Sequence, residues 1–121
     1  MAKLGSIVSF SFNEFSIHTA GLLEVPAHTQ ESLQNYLLYG YPPGGFVSAM
    51  LANDLFRAIA VADVANKQAM WAIGYWITTC GPAQARGSYE RVEDWCNDTN
   101  GCRTAYAEPL LKQHTLDVLR A

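Results

Sequence analysis

Cys80, Cys96, Cys102 and His114 are the side chains of this chain that could close around a metal ion. A structural zinc site takes four thiolate or imidazole ligands, usually in pairs separated by two to four residues. Cys96 and Cys102 instead flank Asn-Asp-Thr-Asn-Gly, so no metal is expected. The same two thiols could form a disulfide in an oxidising compartment or stay reduced in a cytosol. Asn53, Asp54 and Asp63 could be read as magnesium ligands. Each also precedes a helical stretch, where an Asx side chain accepts from orphaned backbone N–H groups, and capping explains them with less assumption. His18 and His28 are isolated in sequence, and His114 shares a helical face with Leu111 and Val118. None of the three has the sequence partner of a nucleophile–base pair. Ser88 lacks the flanking glycines of a nucleophile elbow. Gly44-Gly45 lacks the Lys-Ser/Thr that completes a phosphate loop. The expectation is therefore a protein with no catalytic residues and no cofactor. One weak anion-binding group remains, Arg86, Ser88 and Arg91 at a helix start, against the plainer reading of a solvated loop.

The elements that must position these residues are mostly helical. Residues 6–12 read Ser-Ile-Val-Ser-Phe-Ser-Phe, with Val8, Phe10 and Phe12 on one side, and Phe15 to Thr19 alternates again. Period two is the strand signature, so residues 1–24 are expected to form a β-hairpin. From Pro26 the period is helical. A first helix is capped by Thr29, carries Leu33, Tyr36 and Leu37 on one face and closes at Gly40. Pro42-Pro43 prevents continuation and Gly44-Gly45 permits a sharp turn. A short second helix carries Phe46, Val47, Met50 and Leu51. A third, capped by Asn53 or Asp54, runs to Ala62 with Leu55, Ile59 and Ala62 inward. Asp63 caps a fourth from Val64 to Cys80, stopped by Gly81-Pro82. After a small-residue loop, Ser88 caps a fifth with Tyr89, Val92, Trp95 and Cys96 inward. A polar turn over 97–101 leads to a last helix from Thr104 to Arg120, which Pro109 starts or kinks. The fold class is mainly α with an α+β character, a compact bundle of about five or six short helices behind an N-terminal β-hairpin. Residues 26–97 form the helical core and 103–121 the C-terminal helix of a single domain.

The fourth helix is apolar on two sides. At 100° per residue, Ala69, Met70, Ile73, Trp76, Ile77 and Cys80 share one face, and Trp71, Tyr75 and Thr78 the opposite one. Either the helix is central and buried all round, or Trp71, Tyr75 and Thr78 are partner-binding, with the aromatics as anchors.

Composition bears on the choice. The 121 residues are 50% hydrophobic and 16% charged, against about 25% charged in typical soluble domains. The apolar surplus fits a tight core or a surface that meets another chain, here expected to include a homo-oligomer, most simply a dimer. Net charge is −3, without the basic stripe of a phosphate-tracking protein, so nucleic acid is an unlikely partner. No apolar run approaches the ~20 residues of a membrane span, and no secretory leader is expected.

Pro26, Gly40, Pro42-Pro43-Gly44-Gly45-Phe46, Asn53-Asp54-Leu55, Ala62-Asp63, Asn66, Trp76, Pro82, Gly87-Ser88 and Trp95 form a pattern. It resembles a group of small proteins of tailed bacteriophages with no established activity. The resemblance runs from Pro26 to Trp95, and the pairing of Pro-Pro-Gly-Gly-Phe with Asn-Asp-Leu is its most specific part. Ala85-Arg86 stands where the group tends to have Cys-Trp, and the flanking strands and last helix are additions. The resemblance implies phage origin, a helical core and residence in the host bacterial cytoplasm. Joined to the surplus aromatics, it leads to the expectation of a non-catalytic accessory protein that binds a host protein or complex, most concretely an inhibitor of a defence system such as a CRISPR effector. A small-ligand or nucleotide-sequestering oligomer and a nucleic-acid-binding regulator are the alternatives.

Overall fold

The computed structural model describes residues 24–120, the side chains of His114, Asp117, Val118 and Arg120 excepted. The expected hairpin over 1–24 and the packing face of His114 lie outside the described residues. Within them the chain is helical: α1 (Ala27–Tyr39), α2 (Gly45–Leu51), α3 (Leu55–Val61), α4 (Val64–Gln68), α5 (Met70–Cys80), α6 (Tyr89–Cys96) and α7 (Cys102–Arg120). Single 3₁₀ turns at Ala83–Ala85 and Thr99–Gly101 lead into α6 and α7. No helix among the described residues is long and apolar enough to cross a membrane.

The core is built where α1, α2, α5 and α6 meet. Leu33, Tyr36 and Leu37 of α1 pack with Phe46, Val47 and Leu51 of α2, Ile73, Trp76 and Ile77 of α5, and Val92 and Trp95 of α6. The helical stripes anticipated for α1, α2 and the inner face of α5 are these residues. Two buried aromatics add directional bonds. Trp95 Nε1 donates to Tyr36 O at 3.1 Å, and Tyr36 OH donates to Ala85 O at 2.7 Å. Tyr106 of α7 meets the Trp95 ring edge-on at 5.7 Å.

Gly40 closes α1 as expected, with φ +71° and its N–H on Tyr36 O at 3.0 Å. Its lack of a side chain also matters for packing. A Cβ there would lie 2.6 Å from Arg103 Nε and 2.8 Å from Cys96 O. Arg103 Nε donates to Trp95 O at 3.1 Å, so a cation faces the end of α6, where helix-terminal carbonyls favour positive charge.

Several expectations are corrected. Thr29 does not cap α1; Pro26 occupies that position, where a ring that lacks an N–H loses nothing, and Thr29 is buried with its hydroxyl on Asn66 Oδ1. Gly44 and Gly45 have no positive φ, and Gly44 is instead the extended residue that precedes α2, with φ −67° and ψ 176°. The helix expected from Val64 to Cys80 is interrupted at Ala69, whose φ of −103° and ψ of 7° leave the helical basin, which makes seven α-helices of the anticipated six. Leu55 and Ile59 do not face inward. Ala58 is the fully buried side chain of α3, because small Ala58 and Ala62 let the helix lie close to its neighbours and turn the larger residues outward. Tyr89 is also exposed, and its hydroxyl donates to Asp54 Oδ2 at 2.6 Å. Cys80 ends α5 exposed instead of on its inner face, and none of the three cysteines is disulfide-bonded. The last helix begins at Cys102, not Thr104, because Asp98 accepts from the Thr104 backbone N–H and hydroxyl, and Pro109 lies inside it.

Candidate functional site

Burial of Ile73, Trp76 and Ile77 fixes the rotation of α5, and so decides where Trp71, Tyr75 and Thr78 stand. Trp71 is 51% exposed and Tyr75 is half-buried. Their rings stack at 4.7 Å with planes 14° apart, the reach expected of residues one helical turn apart. Thr78 is exposed, and its hydroxyl donates back to Gly74 O at 2.9 Å. This face is therefore surface, not core.

α3 runs along the same side. Asp54 sets its position through both oxygens: Oδ1 accepts from Arg57 N at 3.4 Å as the N-cap and Oδ2 holds Tyr89. The phase that buries Ala58 brings Leu55 and Ile59 towards α5. Together with Met50 and Met70 they line an open groove of about 600 Å³, with Trp71, Gly74, Tyr75 and Thr78 along its other wall. Among the described residues no Asp, Glu, Lys, Arg or His lines it. The helix above it exposes most of its apolar residues, with Phe56 at 85%. A groove of this kind can exclude water from an apolar partner surface, and among the described residues the hydroxyls along it are those of Tyr75 and Thr78.

Arg86, Ser88 and Arg91 are brought together, and each bonds its own chain, although Arg86 Nε is buried without a hydrogen-bond partner. Ser88 Oγ accepts from Arg91 N at 3.1 Å and so caps α6. Arg86 Nη2 reaches Thr78 O at 3.5 Å, in the last turn of α5, and Arg91 Nη1 donates to Arg86 O at 3.3 Å. The cleft of about 360 Å³ that Arg91 lines also contains Asp94, whose carboxylate disfavours an anion.

Sequence reading missed two features. His28 is isolated in sequence but not in space. Its Nε2 lies 3.1 Å from Asp63 Oδ2, beside the Thr29–Asn66 pair, and this links the start of α1 to the start of α4. Both ionisable side chains are more than half exposed, and no nucleophile is bonded to the pair. A groove of about 670 Å³ also runs between Leu38 and Tyr39 of α1 and Ala107, Leu111 and Leu116 of α7, and Arg103 and the Glu108–Lys112 ion pair line it as well. The repetition of Leu and Tyr past the core face of α1 was the available sequence signal.

The titratable groups complete the chemistry. Burial pushes the phenol of Tyr106 up to about 12 and raises that of Tyr36. Burial also raises the Cys96 thiol, and the bond to Asp54 raises Tyr89. Hydrogen bonds from Thr104 lower Asp98; the Glu108–Lys112 bond lowers the acid and raises the base. Every one of these shifts moves its group away from neutrality, whereas a general acid or base works best near the operating pH. Among the described residues no three His, Cys, Asp or Glu side chains converge as metal ligands would.

Comparison with models of known protein families, with curated proteins and with solved structures finds no match.

Proposed function

We propose that this chain is a non-catalytic binding protein that docks onto another macromolecule through the Trp71–Tyr75–Thr78 face. The observation that carries this reading is the exposed Trp71 ring, stacked on Tyr75 over a groove without charge. Trp and Tyr dominate binding energy where they sit in desolvated recesses, and a large exposed apolar patch marks an interaction site. The resemblance to tailed-phage proteins supports an accessory factor acting in the cytoplasm of a bacterial host. The partner class we assign is a protein complex of host defence, such as a CRISPR effector, which this face would inhibit by occupying a surface the complex needs. The nucleotide-sequestering alternative loses ground, because Arg86, Ser88 and Arg91 already bond their own chain.

The test is affinity capture from host lysate with the tagged chain, wild type against Trp71→Ala. The wild type should recover a specific host protein or complex, and the variant should lose it while keeping its helical circular dichroism. Truncating this surface ring should change folding stability by no more than about 1 kcal/mol. A wild type that recovers nothing specific overturns the proposal.

A further inference from the structure

Among the described residues, the groove between α1 and α7 shares no side chain with the Trp71 face. Its charged side chains already have partners: Glu108 and Lys112 pair at 2.8 Å, and Arg103 Nε donates to Trp95 O. They leave an apolar strip, with Leu38 and Ala107 as its buried floor and Leu111 and Leu116 above, the last 46% exposed. The chain itself holds something that needs such a strip. Residues 1–23, outside the described residues, carry three of the five phenylalanines and two charged side chains, Lys3 and Glu14. Segments that stay in water are poor in aromatics and rich in charge, which is the opposite composition. Val8, Phe10 and Phe12 alternate with serines, so an extended backbone sets all three on one side.

Where the described chain begins decides which surface is in reach. Val25 is 2% exposed within the core, and its carbonyl accepts from Gln30 Nε2 at 2.9 Å, which fixes the entry point beside the first turns of α1. Gln30, Gln34 and Leu38 are four residues apart, so one stripe of α1 leads from that anchor to the groove. The way from Gln30 to Leu38 is about 12 Å. The stretch from Phe12 to Val25 covers up to ~40 Å when extended, enough to run down the stripe or to turn once on the way. No described residue of α1 lines the groove between α3 and α5, so the same stripe does not lead there. A tethered segment also meets its groove at an effective concentration in the millimolar range, ahead of a dilute free partner.

We infer that residues 1–23 of the same molecule lie along the groove between α1 and α7, with Val8, Phe10 and Phe12 against Leu111 and Leu116. The leading segment then completes the side of the molecule built by α1 and α7, and the Trp71–Tyr75 face is left for another molecule.

Nuclear Overhauser spectroscopy on the isotope-labelled full chain tests this without any substitution. The ring protons of Phe10 and Phe12 should give cross-peaks to the methyls of Leu111 and Leu116. A sample that mixes labelled with unlabelled chains should show none of these contacts between molecules. Rings that lack the cross-peaks overturn the inference, and so do contacts that run only between molecules; the binding proposal survives either result. Rings found instead against Leu55, Ile59 or Trp71 overturn both, since the chain would then cover that face itself.

Discussion

The tryptophans show how little residue type alone decides. Trp71 and Trp95 look alike in sequence, both on helices with apolar neighbours. Trp95 is enclosed at 2% exposure, bonded to Tyr36 O and edge-on to Tyr106. Removing it leaves a cavity, while Tyr36 O keeps the Gly40 N–H, and the loss is about 3–5 kcal/mol for a large aromatic. A domain of this size has about 5–15 kcal/mol in total, so Trp95→Ala should be close to unfolded. Urea unfolding followed by far-ultraviolet circular dichroism checks this against Trp71→Ala. Similar losses for the two would mean that Trp71 is core after all. The inward position of Trp95 was legible, because Val92 and Trp95 share a helical stripe. The outward position of Tyr89 was not, because its bonding partner Asp54 lies 35 residues away. The same distance hid the His28–Asp63 pair, also 35 residues apart.

At the scale of elements, starts and stops were legible wherever a local bond makes them. Asp54, Asp63 and Ser88 all cap, each accepting from the backbone N–H three residues on. Gly40 ends α1 for an equally local reason. The break at Ala69 and the rotation of α3 were not legible, since both answer to packing against other helices. Asp98 is a further cap that reading missed, because it stands outside the helix in the left-handed region, at φ 54°, and reaches six residues ahead to Thr104. Its hydrogen bonds from Thr104 hold the folded carboxyl below the ordinary range. The unfolded chain therefore takes up this proton first as pH falls. The stability Asp98 contributes is complete above the ordinary aspartate value of about 3.9 and is lost as pH drops through the lower folded value. Hydrogen exchange at the Thr104 amide should quicken across that acid window, once corrected for the intrinsic pH dependence of exchange. Asp98→Asn, which tolerates the same backbone and cannot ionise, should remove this dependence. Glu108 titrates with the same sign but faces Lys112, so it should not affect the Thr104 amide. An unchanged pH profile in Asp98→Asn would show that the cap carries no acid sensitivity.

For the whole molecule, the composition announced a surplus of apolar side chains without giving its location. The reason is physical. A helix of the length of α3 can turn any of its faces inward, and Ala58 wins that contest through close approach, which no periodicity in seven residues reveals. Part of the surplus lies over α3 and α5 and part along α1 and α7, while the opposite side of α5 fills the core. If residues 1–23 cover the part along α1 and α7, they unfold together with the helices, and the surface released on unfolding includes their own. The slope of stability against urea scales with that surface. Replacing Phe10 and Phe12 together by Asp in the full chain should free the segment and lower the slope by up to about a fifth, its share of the chain. The melting midpoint should fall by roughly 5–10 °C, for a loss of about 2 kcal/mol of apolar burial. Trp71→Ala, on the other face, should keep the wild-type slope. Urea titrations of the three proteins side by side separate these outcomes. A slope unchanged in the double variant would mean that residues 1–23 take no part in the cooperative unit, and would leave both grooves for another molecule to cover.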